Sequence, residues 1–393
     1  MNIEYIDVMI EIFSRLPLKS LLRVRCVCKW WNQIISDPVF ISNYSSCNPQ
    51  YKVSGFYLEK YLFLKMYSGL RFITCAGQVD AAPKPSLSFI DGENGVCIKH
   101  SCNGLLLCSS FRCHEEDRKY YICKPTTKQY MPLPGPQCKT VFGISIAFNP
   151  QNSPHYQVIC ICDSKLSAKH RQIMIYSSNT GCWRLSGNPF EVLVDFLFNR
   201  GVFWKGALHW VGRGVSSLRF DVERELLHTM LIPPIPEGWG WAERRFEYFG
   251  ESGGHLYLIE NYGPQKAVFD VMEMNGDYSG WFVKYHVNLD GPLPAPFPFN
   301  PRHHQEFHRR VFSVLHIFHR RVGEREESIL VLHIPGDLTL YNLGDNPLGS
   351  LSDLYPMRMV ENPILPYAWK SRNLGLCYTW ESIHPFSNTQ CYL

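Results

Sequence analysis

A turn followed by an apolar run recurs along this chain, and that recurrence limits the fold more than any other feature. Asn103-Gly104-Leu105-Leu106-Leu107, Gly206-Ala207-Leu208-His209-Trp210 and Gly254-His255-Leu256-Tyr257-Leu258 share the form. Their glycines stand about 100 and then about 50 residues apart, and Pro154-His155-Tyr156-Gln157-Val158-Ile159 marks the skipped beat. A second marker keeps the same spacing. Thr127-Lys128-Gln129-Tyr130, Asn179-Thr180-Gly181-Cys182-Trp183 and Asp277-Tyr278-Ser279-Gly280-Trp281 are turns that end in a large aromatic. Runs of Val, Ile, Tyr, Phe and Trp between Gly, Pro, Asn and Asp clusters read as many short strands. A strand-built repeat of about 50 residues predicts propeller blades of the kelch kind.

The first 45 residues have a different texture. Ile6, Met9, Ile10 and Phe13 fall on one helical face, while Val8 and Ile12 lie on another. Leu16-Pro17 breaks this helix, because proline lacks a donor and disfavours helical backbone before it. Beyond it, Leu21, Val24, Cys28, Trp31 and Ile35 form one stripe, and Leu18, Leu22, Cys26, Trp30 and Ile34 form another. On a continuous helix these stripes occupy most of the circumference. Asp37-Pro38 supplies the stop. About forty residues cannot bury so much apolar surface by themselves, so the rest of the chain or a partner must cover it. Arg15, Lys19, Arg23, Arg25 and Lys29 make the segment basic, which suits a membrane surface, nucleic acid or an acidic protein. Two adjacent tryptophans near arginines match the composition of protein-binding hot spots.

The formal charge of +4 over 393 residues is too small for a DNA-binding face, and Arg244-Arg245, Arg309-Arg310 and Arg320-Arg321 are only local pairs. Fifteen cysteines suggest a disulfide scaffold. Against that, the N-terminus has no secretory pattern and no apolar run reaches 18 residues, so the expectation is an intracellular protein of nucleus or cytoplasm. There the cysteines stay reduced and pack as small hydrophobes.

Asp7 through Arg23, then Val27-Cys28-Lys29-Trp30-Trp31 and Ile35-Ser36-Asp37-Pro38-Val39-Phe40, closely resemble the F-box motif. The resemblance implies a helical hook over residues 1–45 that binds the Skp-family adaptor of a cullin–RING ubiquitin ligase. Its carried-over contact residues are Ile12, Leu16, Pro17, Leu21, Leu22, Val27, Cys28 and Trp31. One departure is Glu4-Tyr5, where the family usually has Leu-Pro before the first helix.

Downstream, Ser101 to Leu106, Pro125 to Pro134, Phe203 to Trp210, Phe220-Asp221-Val222 and Gly253 to Leu258 resemble, in that order, the F-box-associated domain of plant F-box proteins. The expected chain is therefore mainly β with a small N-terminal α-helical F-box. A connector with the first strands would occupy 46–95, and a kelch-like β-propeller 96–390. The implied role is that of a non-catalytic substrate receptor; an interaction scaffold outside any ligase is the alternative.

Three patterns invite a chemical reading. Gly250-Glu251-Ser252-Gly253-Gly254 has the form of a hydrolase elbow, but the elbow requires a helix after it, and His255 to Ile259 reads as a strand. His304-Gln305-Glu306-Phe307-His308 has its glutamate misplaced for a zinc protease, and it reads as a loop entering a strand. Cys97, Cys102, Cys108, Cys113 and Cys123 contain no C-x-x-C pair, so neither metal nor cofactor is expected. Two loops suit target binding better. Pro233 to Arg245 carries Trp239, Trp241, Arg244 and Arg245, and Gly291 to Arg310 is proline-rich and then basic.

Overall fold

The computed structural model describes residues 3–44 without 17, 38, 41 and 42, then 53–61, 68–74, 87–90 and 95–110. It continues over 117–289 without 126, 213, 215, 242 and 263–267, then 313–322, 325–334, 337–344, 355–356 and 380–387. The chain opens with α1 (Ile3–Arg15), α2 (Leu18–Val24) and α3 (Lys29–Ser36), and the described residues among 39–44 are helical as well. α1 turns Met9, Ile10 and Phe13 onto Leu21, Ile35, Phe40 and Tyr44, as their helical spacing requires. Glu4 and Tyr5 lie inside α1 rather than before it.

The two stripes of the second segment do not share one helix. α2 ends at Val24, and Cys28 turns extended (φ −156°, ψ 162°) to cap α3, its Sγ accepting the Trp31 N–H at 3.4 Å. Asp37 then stops α3. Its backbone is extended at ψ 130°, and its carboxylate accepts the N–H groups of Val39 and Phe40 at 2.8 and 3.2 Å.

Five four-stranded antiparallel blades follow. Blade one is β3 (Val96–Cys102), β4 (Leu105–Ser110), β5 (Tyr120–Lys124) and β6 (Gln129–Leu133). Blade two is β7 (Val141–Ala147), β8 (Gln157–Asp163), β9 (His170–Ser177) and β10 (Cys182–Glu191). Blade three is β11 (Val202–Trp204), β12 (Ala207–Trp210), β13 (Ser216–Asp221) and β14 (Leu226–Leu231). Blade four is β15 (Arg244–Ser252), β16 (His255–Tyr262), β17 (Val268–Met274) and β18 (Trp281–Asn288). Blade five is β19 (Ser313–Val322), β20 (Arg325–Ile334), β21 (Asp337–Asn342) and β22 (Tyr355–Pro356). A three-stranded sheet is assembled from both ends of the chain, with β1 (Val53–Tyr61) between β2 (Ser68–Thr74) and β23 (Trp380–Ser387). The first strands of successive blades are neighbours, and β23 lies beside both β19 and β3, which closes the ring.

The sequence spacing now has a structural meaning. Asn103-Gly104, Lys205-Gly206 and Gly253-Gly254 are the two-residue turns between the first and second strands of blades one, three and four. All six residues have positive φ, from 44° to 84°, the backbone that lets a tight hairpin follow strand twist. The aromatic markers join blades. Trp183, second in β10, donates its indole N–H to Pro134 O, 49 residues upstream, at 2.6 Å. Trp281, first in β18, donates to Leu231 O, 50 residues upstream, at 3.0 Å. Each ties the start of a fourth strand to the end of the preceding blade's fourth strand.

The core lies between blades. Leu105, Leu107 and Ile122 of blade one meet Ile144, Val158 and Cys160 of blade two, and Ile159 and Ile161 on the other face meet Leu208 and Trp210 of blade three. Central strands are thus covered on both faces, which explains why β5, with Tyr120 to Lys124 all buried, reads as an unbroken run instead of an alternation. Each fully buried Leu or Ile contributes about 1.5–3 kcal/mol.

Candidate functional site

The helical segment closes its own core and still leaves apolar surface outside. Phe13 packs edge-on against Trp31 at 5.4 Å, and the Tyr44 hydroxyl donates to Leu16 O at 2.6 Å. Val8, Ile12, Val27 and Val39 are all about half exposed or more. Of the residues the sequence singles out for an adaptor, Ile12, Val27 and Cys28 are exposed, while Leu16 and Trp31 are half-buried. Leu21 is fully buried, so it shapes the surface from within. Pro17 and the Leu22 side chain lie outside the described residues. Val8 and Val39 were not among the sequence candidates; the four-residue spacing from Val8 to Ile12 is the signal that finds the former.

In the propeller, antiparallel order fixes which loops share a face. The turns between first and second strands, and between third and fourth, lie on one side. The middle hairpins and the crossovers from one blade to the next lie on the other. The Pro233–Arg245 segment covers the crossover from β14 to β15 and the first two residues of β15. Trp239 and Trp241 are exposed on it, as is Arg245. Gly291 to Arg310, which includes His304 to His308, lies outside the described residues.

Arg244 corrects the sequence expectation. It begins β15 with its side chain turned inward, paired with Glu260 and donating to Pro233 O at 2.9 Å. Its guanidinium faces the rings of Phe246 at 5.2 Å and Trp241 at 5.7 Å. The Tyr262 hydroxyl donates to the second Glu260 oxygen at 2.8 Å. Burial pushes the Glu260 carboxyl above its ordinary pKa, against the opposing pull of Arg244. A strand-initial arginine cannot be assigned to inside or outside by periodicity when a loop precedes it.

The other chemical candidates are parts of strands. Ser252 is buried and pairs with His255 across the Gly253-Gly254 turn, so the residues after it form β16 and not a helix. Cys97, Cys102, Cys108 and Cys123 are buried, and Cys113 lies outside the described residues. His209 stacks on Tyr278 at 5.7 Å and 14°, and burial lowers it to about 4, which keeps the ring neutral. Among the described residues no three His, Cys, Asp or Glu side chains are grouped to hold a metal ion.

Known proteins resemble the chain in both parts. The F-box-like family model matches residues 6–44, and the F-box associated beta propeller domain model matches residues 74–250. F-box protein At5g07610 of Arabidopsis thaliana is 33% identical, over 88% of this chain and 85% of that protein. F-box protein At5g49610 of the same plant is 28% identical, over 74% of this chain and 82% of that protein.

Proposed function

Because the chain belongs to the plant F-box proteins that join an F-box to an F-box-associated β-propeller, we propose that it is a substrate receptor of an SCF-type cullin–RING ubiquitin ligase. The carrying observation is the exposed set Val8, Ile12, Val27 and Val39 on a helical segment that already has its own core. Apolar surface of that kind marks a protein interface. A Skp-family adaptor would cover Ile12, Val27 and Cys28 and reach Leu16 and Trp31 at the edges, with Pro17 and Leu22 added by the family pattern.

The receptor does no bond chemistry itself. It holds target lysines near a ubiquitin-charged enzyme, which acts through effective concentration in the nucleus or cytoplasm. The target would meet the crossover face, where Trp239, Trp241 and Arg245 are exposed.

Co-purification of a Skp-family adaptor with the full chain tests the reading. The adaptor should be retained by the unaltered chain and by Trp239→Ala with Trp241→Ala, and lost with Ile12→Asp plus Val27→Asp. Absence of the adaptor, or its retention by the double aspartate variant, would favour a scaffold that never joins a ligase.

A further inference from the structure

The crossover face carries a second patch, over blade two, that the sequence markers did not point to. Three segments meet there: the crossover 134–140 entering β7, the middle hairpin 164–169 between β8 and β9, and the chain leaving β10 at Val192. Hydrogen bonds and a ring contact make them one surface. The N–H groups of Lys139 and Thr140 donate to the Asp163 carboxylate at 3.0 and 2.8 Å, and Val192 N–H donates to Lys169 O at 2.9 Å. The Arg171 guanidinium lies over the Phe142 ring at 3.7 Å.

Two leucines stand out from this surface, Leu166 at 66% and Leu193 at 79% exposure, and Phe142 under Arg171 is at 36%. Lys139, Lys165 and Lys169 are exposed around them, and Arg171 is half-buried. Three acids lie in the same segments: Asp163 is occupied by two backbone donors, Glu191 stands opposite His170 in the strand register, and Asp195 is exposed two residues beyond Leu193. Lys139, Lys165, Lys169 and Arg171 outnumber these three acids, with Lys165 and Lys169 in the hairpin that carries the exposed Leu166 and Lys139 in the crossover.

We propose that this corner of blade two binds an acidic segment of the target protein that also carries an apolar side chain. The proposal rests on the substrate-receptor reading. Lysines ringing exposed leucines attract carboxylates and set orientation, while the leucines supply the area that water must leave. A short peptide rich in Asp and Glu with a Leu, Ile or Phe satisfies both requirements.

A random-peptide display library selected on the immobilised full-length chain tests this. Recovered peptides should be enriched in Asp and Glu flanking a large apolar residue. Lys165→Glu with Lys169→Glu should abolish that enrichment, and Leu166→Ser with Leu193→Ser should cut recovery about tenfold or more. All four positions are exposed, and an unchanged melting temperature confirms that the variants fold. A neutral or basic consensus, no enrichment, or an acidic consensus that survives the charge reversal overturns the proposal. Adaptor co-purification is read separately on the same variants. Its loss from the unaltered chain defeats the receptor reading, whereas the peptide consensus decides this surface.

Discussion

Replacing Glu260 or Arg244 tests whether Arg244 belongs to blade four or to a target surface. The two side chains are 3% and 1% exposed, so each charge relies on the other. Removing one partner leaves an uncompensated buried charge, and the expected loss for Glu260→Gln or Arg244→Ala is about 3–5 kcal/mol. Among the described residues Arg244 Nε and Nη1 have no acceptor, so these residues alone do not fully satisfy the pair. Joint replacement by Met should therefore be close to neutral, within about 1–2 kcal/mol, because both desolvation penalties vanish together. Arg245→Ala, exposed next door, should stay within about 0.5 kcal/mol.

Urea unfolding of the full chain, followed by tryptophan fluorescence, reads these differences. With a slope of roughly 1–3 kcal/mol per molar, each single variant should lower the midpoint by about 1 M or more. The pH dependence has a definite sign. The folded Glu260 carboxyl has its pKa raised from 4.5, so the folded state holds that proton more tightly. Its contribution is full below the unfolded value and is lost as pH rises through the folded one. Glu260→Gln should remove that decline. If Arg244→Ala unfolds like the unaltered chain yet loses target capture, Arg244 is a binding residue and the inward reading fails.

Two further outcomes follow from the propeller. The Cys138 thiol is pulled below the ordinary thiol range by the neighbouring Cys160 and Cys162 thiols, which the same contacts and then burial push above it. Iodoacetamide at about pH 6 should therefore alkylate half-buried Cys138 first, as read by peptide mass mapping; preferential labelling of Cys160 or Cys162 would refute this. Truncation after residue 379 removes β23, the strand between β19 and β3, and should speed amide exchange in both neighbours; unchanged exchange would show that the ring does not need it.

The repeat was legible because the tight turns impose a chemical requirement. Positive φ at paired positions selects Gly and Asn, so Asn103-Gly104 and Gly253-Gly254 stand out in a single sequence. The indoles of Trp183 and Trp281 were visible as a beat, but their partner carbonyls at Pro134 and Leu231 have no side-chain signature. The pairing of β1 with β23 left no local pattern, since the strands lie at opposite ends of the chain. In the helical segment the core spacing was readable from Ile6 to Phe13. The break at Cys28 was not, because the apolar stripes continue across it and only the extended backbone there reveals the cap.

The tight turns and the crossovers differ in how much freedom they retain. Where two-residue turns join strands, both residues are committed to backbone geometry, and even Lys205 is held at φ 46°. The crossovers 134–140, 192–201 and 232–243 are longer, and the strands on either side already satisfy the backbone of each blade. Side chains there need not pack inward, and Leu193, Trp239 and Trp241 do not. Changing such residues costs little stability while altering what the face can bind. On the proposed receptor reading, the helical core would fix the adaptor surface and the crossovers would carry selectivity. Those crossovers, together with the Lys165–Lys169 hairpin, bring exposed apolar and basic side chains together on one face of the propeller.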